Sequence, residues 1–511
     1  MDIPLPPRLS EQTTTTTFQS IISDNGVGNS EWERGLGVIN DILTPGSSVF
    51  EVMTEEQRDG LKSVQQILLG RSNEDQLVAY IPESLRSKQG REIDDYLISQ
   101  FAGVRTVSAK QTFKNLVNAN IFISGLKARA SALNIEDTSK SVLWTNTPVE
   151  WDELDRESQL QIAELLSWES LAEWGFDIFK LNELTKGNAL LFIGWGILSS
   201  PYSQHAMQKS LFPDAVVDFE DLPGYKFLDE FSIHPATMVN FLRAVQNEYL
   251  DIVYHNQIHA ADVTQTLHCM LKMGGDKFAS TEIQQFALLL AAIIHDMGHP
   301  GFNNNFQIQS RSAIAILYND TSCLENMHIA KAFSLVFGDG GNPSIDIFNR
   351  MKPQQFNTIR TLLIDAVLDT DMTKHFATCG QIKQLVDVMP MEELMESDNA
   401  WTIASFFLHL ADISNPAKPG DLFLQWTDRC LDEFFQQGDK EKEMKLEVSP
   451  LCDRTTTDKA TSQLGFIKYV VVPGFKAVSE CIPEIKKVIY PIMKRNYMYW
   501  KREQGKEEVD I

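Results

Sequence analysis

The sequence predicts an all-α fold: a compact multi-helix domain preceded by an extension that is part helical and part disordered. Three observations predict it. From Trp151 onward the chain reads as helix after helix, with no run of alternating strands. The two longest apolar runs, Ala189 to Leu198 and Phe286 to Ile294, are too short to span a bilayer and read as buried helices. Gly/Pro clusters at Gly274-Gly275, Gly338 to Pro343, Pro416 to Gly420 and Pro473-Gly474 read as breaks between helical blocks.

In chain order, residues 1–60 hold a five-threonine run (Thr13 to Thr17), scattered Gly and Ser, and more acidic than basic residues. A solvated, disordered tail is expected there. The stretch has no basic amphipathic face, so neither a calmodulin-target helix nor a membrane-surface helix is supported. Residues 61–150 regain helical spacing, as in Phe113, Leu116, Val117 and Ile121. They are expected to form an extension packed on the main domain; a regulatory flap is the sharper alternative. Thr145-Asn146-Thr147-Pro148 marks a boundary, residues 151–500 form the main domain, and 501–511 a charged, frayed tail.

A formal net charge of −24 over 511 residues argues against nucleic acid as a partner. A small phosphate compound remains compatible, because a bound cation reverses the local sign. The six cysteines form no CxxC pair and read as reduced thiols. The start, Met1-Asp2-Ile3-Pro4, lacks a basic-then-apolar signal. An intracellular, cytoplasmic protein without membrane insertion is expected.

The chemistry is concentrated in histidines. Six of the ten lie between His255 and His328. In Tyr254-His255-Asn256-Gln257-Ile258-His259-Ala260-Ala261-Asp262-Val263, a continuous helix would put His255, His259 and Asp262 on one face. His295-Asp296 follows the apolar run Phe286 to Ile294, and Asp412 follows Phe406-Phe407-Leu408, so both sit at the ends of buried, rigid helices. A histidine from one helix, a His-Asp pair from a second and an aspartate from a third make a four-ligand metal site with open positions. Open positions suit hydrolysis, because a cation lowers the pKa of water. Asp262 reads either as a ligand or as a partner orienting an imidazole. His234 and His268 read as satisfied core histidines.

These residues resemble the catalytic domain of the class I cyclic nucleotide phosphodiesterases, within the HD superfamily of metal phosphohydrolases. Tyr254 to Val263 is similar to that family's YHNxxHAxDV signature. Asn304-Asn305-Phe306, Leu324-Glu325-Asn326, Thr370-Asp371-Met372 and Ala411 to Pro416 come next, in the family's order. So do Glu433 to Asp439, Ser449-Pro450-Leu451-Cys452-Asp453 and Ser462 to Ile467. The resemblance runs from about Trp174 to Pro473. Ala261 to Thr266 and Ser449 to Arg454 look most like the calmodulin-dependent, dual-specificity class.

The resemblance implies roles. His255 would be the general acid protonating the leaving O3′ atom. His259, His295, Asp296 and Asp412 would hold Zn2+, with Asp296 bridging to a second ion, Mg2+ or Mn2+. His299, Asn304 and Glu325 would support the water shell and phosphate, with Asp262 behind them. Gln463 would hydrogen-bond the purine edge, Phe466 would stack on the ring, and Tyr254, Asn415 and Leu451 would complete the pocket. Asn415 resembles the cAMP-preferring members. Met327-His328 stands where the family often has His-His. Hydrolysis of cAMP or cGMP to the 5′-monophosphate is the implied activity, with a homodimer left open. The rivals are another HD-type phosphohydrolase, or a cyclic-nucleotide sensor that has lost catalysis.

Overall fold

The computed structural model describes residues 147–505. The expectations for residues 1–60, for most of 61–150 and for 506–511 lie outside the described residues. Among the described residues the secondary structure is helical throughout and no strand occurs, as expected. None of the described helices is long and apolar enough to cross a membrane.

The helices that build the site are α1 (Ala189–Leu198), α2 (Pro235–Glu248), α3 (Gln257–Lys272), α4 (Glu282–Ile294), α5 (Cys323–Phe337) and α6 (Pro353–Leu368). After them come α7 (His375–Val388), α8 (Ala400–Asp412), α9 (Leu422–Met444), α10 (Lys459–Phe466), α11 (Val472–Val478) and α12 (Glu484–Glu503). α1 is apolar all round and buried at every position, and α4 is buried from Phe286 to Ile294. A helix with no polar face has to lie inside the protein. α4 packs against α3 on one side and α6 on another, and α3 also packs against α1 and α8. The three elements expected to carry metal ligands are therefore neighbours at the centre of one core.

Local signals set the helix ends. The Asn256 side chain accepts from Ile258 N at 2.9 Å and caps α3. Thr281 and Gln284 form a reciprocal capping box at the start of α4. Because Asn256 is the cap, α3 begins at Gln257 and His255 stands before it, contrary to the expected single helical face. Pro473-Gly474 does not break a helix either. It lies in the first turn of α11, which continues from α10 through a π-helical segment, Ile467–Val471. Pro473 has no N–H and its ring crowds the carbonyl four residues earlier; the wider turn relieves both. α12 runs through Lys501 to Glu503, so the expected tail from 501 starts as helix. His268 is a core histidine, buried beside Trp168 with its Nδ1 3.0 Å from Tyr225 Oη. His234 is not: it is the half-buried cap of α2, accepting from Ala236 N at 3.2 Å.

Candidate metal centre and active site

His259 projects from the first turn of α3, His295 and Asp296 stand at and just past the end of α4, and Asp412 is the last residue of α8. One ligand atom from each of the four lies within 4.8 Å of all the others. His259 Nε2 is 2.9 Å from Asp412 Oδ1 and 3.5 Å from Asp296 Oδ2. His295 Nε2 is 3.3 Å from Asp296 Oδ2 and 3.5 Å from Asp412 Oδ1.

The hydrogen bonds fix how these groups face. His295 Nδ1 lies 2.9 Å from Ala292 O, so it carries the proton and leaves the Nε2 lone pair toward the carboxylates. His295 Nε2 and Asp296 Oδ2 are buried and have no hydrogen-bond partner. Two orphaned, electron-rich atoms facing each other in a dry site are costly unless a cation lies between them. The donor set of two imidazoles and two carboxylates therefore fits a divalent metal ion. The carboxylates respond to the same geometry. Burial opposes their charge, but the His295 and His255 imidazoles outweigh it and hold Asp296 well below the usual carboxylate range. Asp412 is likewise lowered against burial, by its 2.9 Å contact with His259 and by the nearby His295.

A second cluster adjoins the first: His255, His299 and Glu433. Glu433, from α9, accepts the Tyr254 N–H at 2.8 Å and the His255 N–H at 3.1 Å, and its other oxygen makes a short contact with His255 Nδ1. Burial disfavours a charged imidazole, yet the carboxylates of Glu433 and Asp296 raise His255 to about 9. Its Nε2 is left to give a proton away. His299 stacks on His255 with ring centroids 4.0 Å apart. Gly301 N donates to His299 Nδ1 at 3.0 Å, so the remaining proton sits on Nε2. Burial, then the neighbouring His255 charge, push His299 down to about 3. The chain doubles back between Asp296 and His299 through Gly298, at φ 74°, a conformation that glycine adopts without strain.

Asn304 and Glu325 meet: Asn304 Nδ2 is 3.1 and 3.0 Å from the two Glu325 oxygens, and Leu324 N donates to Asn304 Oδ1 at 3.0 Å. Burial and then Asp371 push Glu325 up to about 8. Asp262 is not a ligand. It is buried in a 2.9 Å ion pair with Lys418, whose amine also donates to Thr266 at 2.6 Å. Two further residues belong to the site although their own sequence context does not mark them. Glu433 opens the Glu433 to Asp439 motif, but only its partner across 178 positions of sequence reveals its role. His328 donates from Nδ1 to Met297 O at 2.9 Å and turns Nε2 toward Asp296 Oδ1, 3.6 Å away.

Of the residues expected to line a pocket, Tyr254 lies against this centre, its ring 4.7 Å from that of His259. Asn415 Nδ2 makes a short bond to Tyr254 Oη, and Asn415 Oδ1 is buried without a partner. Trp426 of α9 lies 5.7 Å from the Tyr254 ring and 5.9 Å from the His259 ring. The next residue, Thr427, places its hydroxyl 3.4 Å from Gln463 Oε1. Phe466 is half-buried three positions on, where the π segment begins. Leu451 sits at φ 65° in the loop after α9. That loop is pinned by Glu441, which accepts Ser449 N at 2.7 Å and Ser449 Oγ at 2.6 Å. It approaches so closely that a Cβ on Gly438 would fall 1.9 Å from Cys452 O.

The buried cluster of two imidazoles and two carboxylates on an all-α core is a candidate metal centre. Residues 254–492 match the model of the 3′5′-cyclic nucleotide phosphodiesterase family. Among curated relatives, mouse dual specificity calcium/calmodulin-dependent 3′,5′-cyclic nucleotide phosphodiesterase 1C is 35% identical over 412 residues, 79% of this chain and 50% of the relative. The probable 3′,5′-cyclic-AMP phosphodiesterase pde-4 of Caenorhabditis elegans is 33% identical over 338 residues, 65% of this chain and 46% of the relative. The chain thus spans about half the length of these relatives. A solved structure of LmjPDEB1 in complex with IBMX is 25% identical with a TM-score of 0.57, covering 72% of this chain and 99% of that one.

Proposed function

We propose that the protein hydrolyses 3′,5′-cyclic nucleotides to 5′-nucleoside monophosphates and so ends cyclic-nucleotide signals. The observation that carries the reading is the adjacency of two clusters: four convergent metal ligands, and a carboxylate-held imidazole whose ring lies 5.6 Å from that of the ligand His259. The catalytic unit we assign is 151–500, with the preceding residues as an extension.

His259, His295, Asp296 and Asp412 would hold Zn2+, and Asp296 would also serve a second ion, Mg2+ or Mn2+. Such ions polarise a phosphoryl oxygen and lower the pKa of water. The chain's own residues do the rest. His255, kept charged by Glu433, donates its Nε2 proton to the departing O3′ atom. His299, kept neutral, offers its Nε2 proton as a hydrogen bond toward the phosphate. Asn304 holds Glu325, which orders the water shell. Asn415 Oδ1 is a free acceptor beside Tyr254, suited to an exocyclic amine. Thr427 gives its proton to Phe423 O at 2.8 Å, so its longer contact leaves the Gln463 amide free to present either face to a purine. Phe466 stacks on the base. The relatives' names include both dual-specificity and cAMP enzymes, and the unlocked amide favours turnover of both nucleotides. A cytoplasmic location suits that substrate.

The test is hydrolysis of cAMP and cGMP side by side with magnesium, with and without prior chelation. Chelator-sensitive formation of the 5′-monophosphate is the expected result. No turnover of either by metal-loaded protein would overturn the reading.

A further inference from the structure

The turn that carries Asn415 is held from outside the site. Asn415–Ala417 is a single 3-10 turn separated from Asp412 by Ile413 and Ser414, and three successive carbonyls from Pro416 to Lys418 are taken up by side chains from remote elements. Asn496, in the middle of α12, donates its amide to both Pro416 O and Lys418 O, each at 2.8 Å. Trp174, in the turn before the helix Ile178–Leu184, donates from Nε1 to Ala417 O at 2.8 Å. Both donors are buried, Asn496 to 2% and Trp174 to 4% exposure. The Lys418 amine then anchors the same turn to α3 through Asp262 and Thr266.

Asn415, Pro416, Ala417 and Lys418 are all buried, so these carbonyls have no solvent to turn to and depend on donors from within the protein. Asn415 in this turn has its Nδ2 committed to Tyr254 and its Oδ1 free. α12 also packs against α10, the helix of Gln463 and Phe466: Trp500 and Tyr497 share a small core with Leu464 and Ile467. One C-terminal helix thus sets the position of both candidate walls of the base pocket, from behind.

We propose that Asn496 and Trp174 are positioning residues for recognition of the purine, acting through Asn415 to set the ratio of cAMP to cGMP turnover. Neither touches the metal ligands or His255. The proposal rests on the cyclic-nucleotide reading of the pocket. A displaced turn leaves a buried Asn415 acceptor misaligned with its ligand, and such a loss weakens binding of one base more than the other.

The experiment measures kcat and KM for cAMP and cGMP on the full chain, with bound metal counted. Asn415→Ala is the reference, and Asn496→Leu, Asn496→Ser and Trp174→Phe are the tests. Asn496→Leu and Trp174→Phe are expected to change the cAMP:cGMP ratio of kcat/KM about fivefold or more, in the direction of Asn415→Ala. The change should come through KM, with kcat within about twofold and metal stoichiometry kept. Combined with Asn415→Ala, they should add nothing to its ratio, as residues acting through one group do. Should Asn496→Leu fail to fold, Asn496→Ser, which keeps a donor, and Trp174→Phe decide. An unchanged ratio in these variants while Asn415→Ala moves it, or effects that add to it, overturns the positioning role alone. No turnover by the wild type, or no ratio change in Asn415→Ala, overturns the underlying reading of the pocket as well.

Discussion

Glu433 receives three bonds from two consecutive residues: the Tyr254 N–H, the His255 N–H and the His255 ring. The carboxylate therefore fixes the backbone ahead of α3 and the proton on the imidazole together. His255 stands outside the helix, so this contact replaces the helical register as what aims it.

This contact also sets the pH dependence. His255 is raised to about 9 from an ordinary value of 6.5, with burial opposing and Glu433 prevailing. As an acid it is loaded below that value, so activity should fall along an alkaline limb near 9 as the proton is lost. Its contribution to stability has the same sign: fully present below about 6.5 and lost as pH rises through about 9. Glu433→Gln removes the main raising charge, and the alkaline limb should shift down by at least one pH unit, roughly, in a kcat/KM profile. A limb that stays in place would assign it to another group.

His255→Ala should lower kcat about 10²- to 10⁴-fold, the range for loss of a general acid. The four residues proposed as metal ligands remain, so bound metal measured by elemental analysis should be unchanged. Normal turnover would remove His255 from the acid role.

Asp412→Ala takes away the oxygen that lies 2.9 Å from His259 Nε2 and 3.5 Å from His295 Nε2. The protein should lose its tightly held metal on dialysis, together with its activity. Retained stoichiometric metal would show that Asp412 is not a ligand.

Lys418→Met tests the buried pair with Asp262. Both partners are almost wholly buried, and removing one strands the other charge. A loss of about 3–5 kcal/mol is expected in urea unfolding. The double variant Lys418→Met with Asp262→Asn should recover part of it. Equal losses in both would argue that the amine's other contacts, with Thr266 and over the Trp174 ring, matter more than its pairing with Asp262.

Much of the site is legible in the sequence because ligands at the ends of apolar helices keep their sequence context. His295-Asp296 after α4 and Asp412 at the end of α8 are cases where a buried run points directly to the ligand at its end. Contacts between distant segments leave less trace. Asp262 reads as part of the HxxxH face, but its partner is Lys418, 156 positions away. His255 reads as helical because nothing in the spacing shows that Asn256 folds back to cap α3. Pro473-Gly474 reads as a break because local propensity carries no record of a π segment that absorbs it. His328 needs the position of Met297 O to be seen.

The π segment has one more consequence. Helix α10 and helix α11 form one rod, but the wide turn at Ile467–Val471 inserts a residue into its count. The two halves are therefore out of phase by about 100°, the rotation of one α-helical residue. Gln463 and Phe475, both buried, stand on either side of that slip. A single-residue deletion between 467 and 471 would restore an unbroken winding and swing one half about the shared axis, carrying Gln463 away from Thr427 without altering either residue.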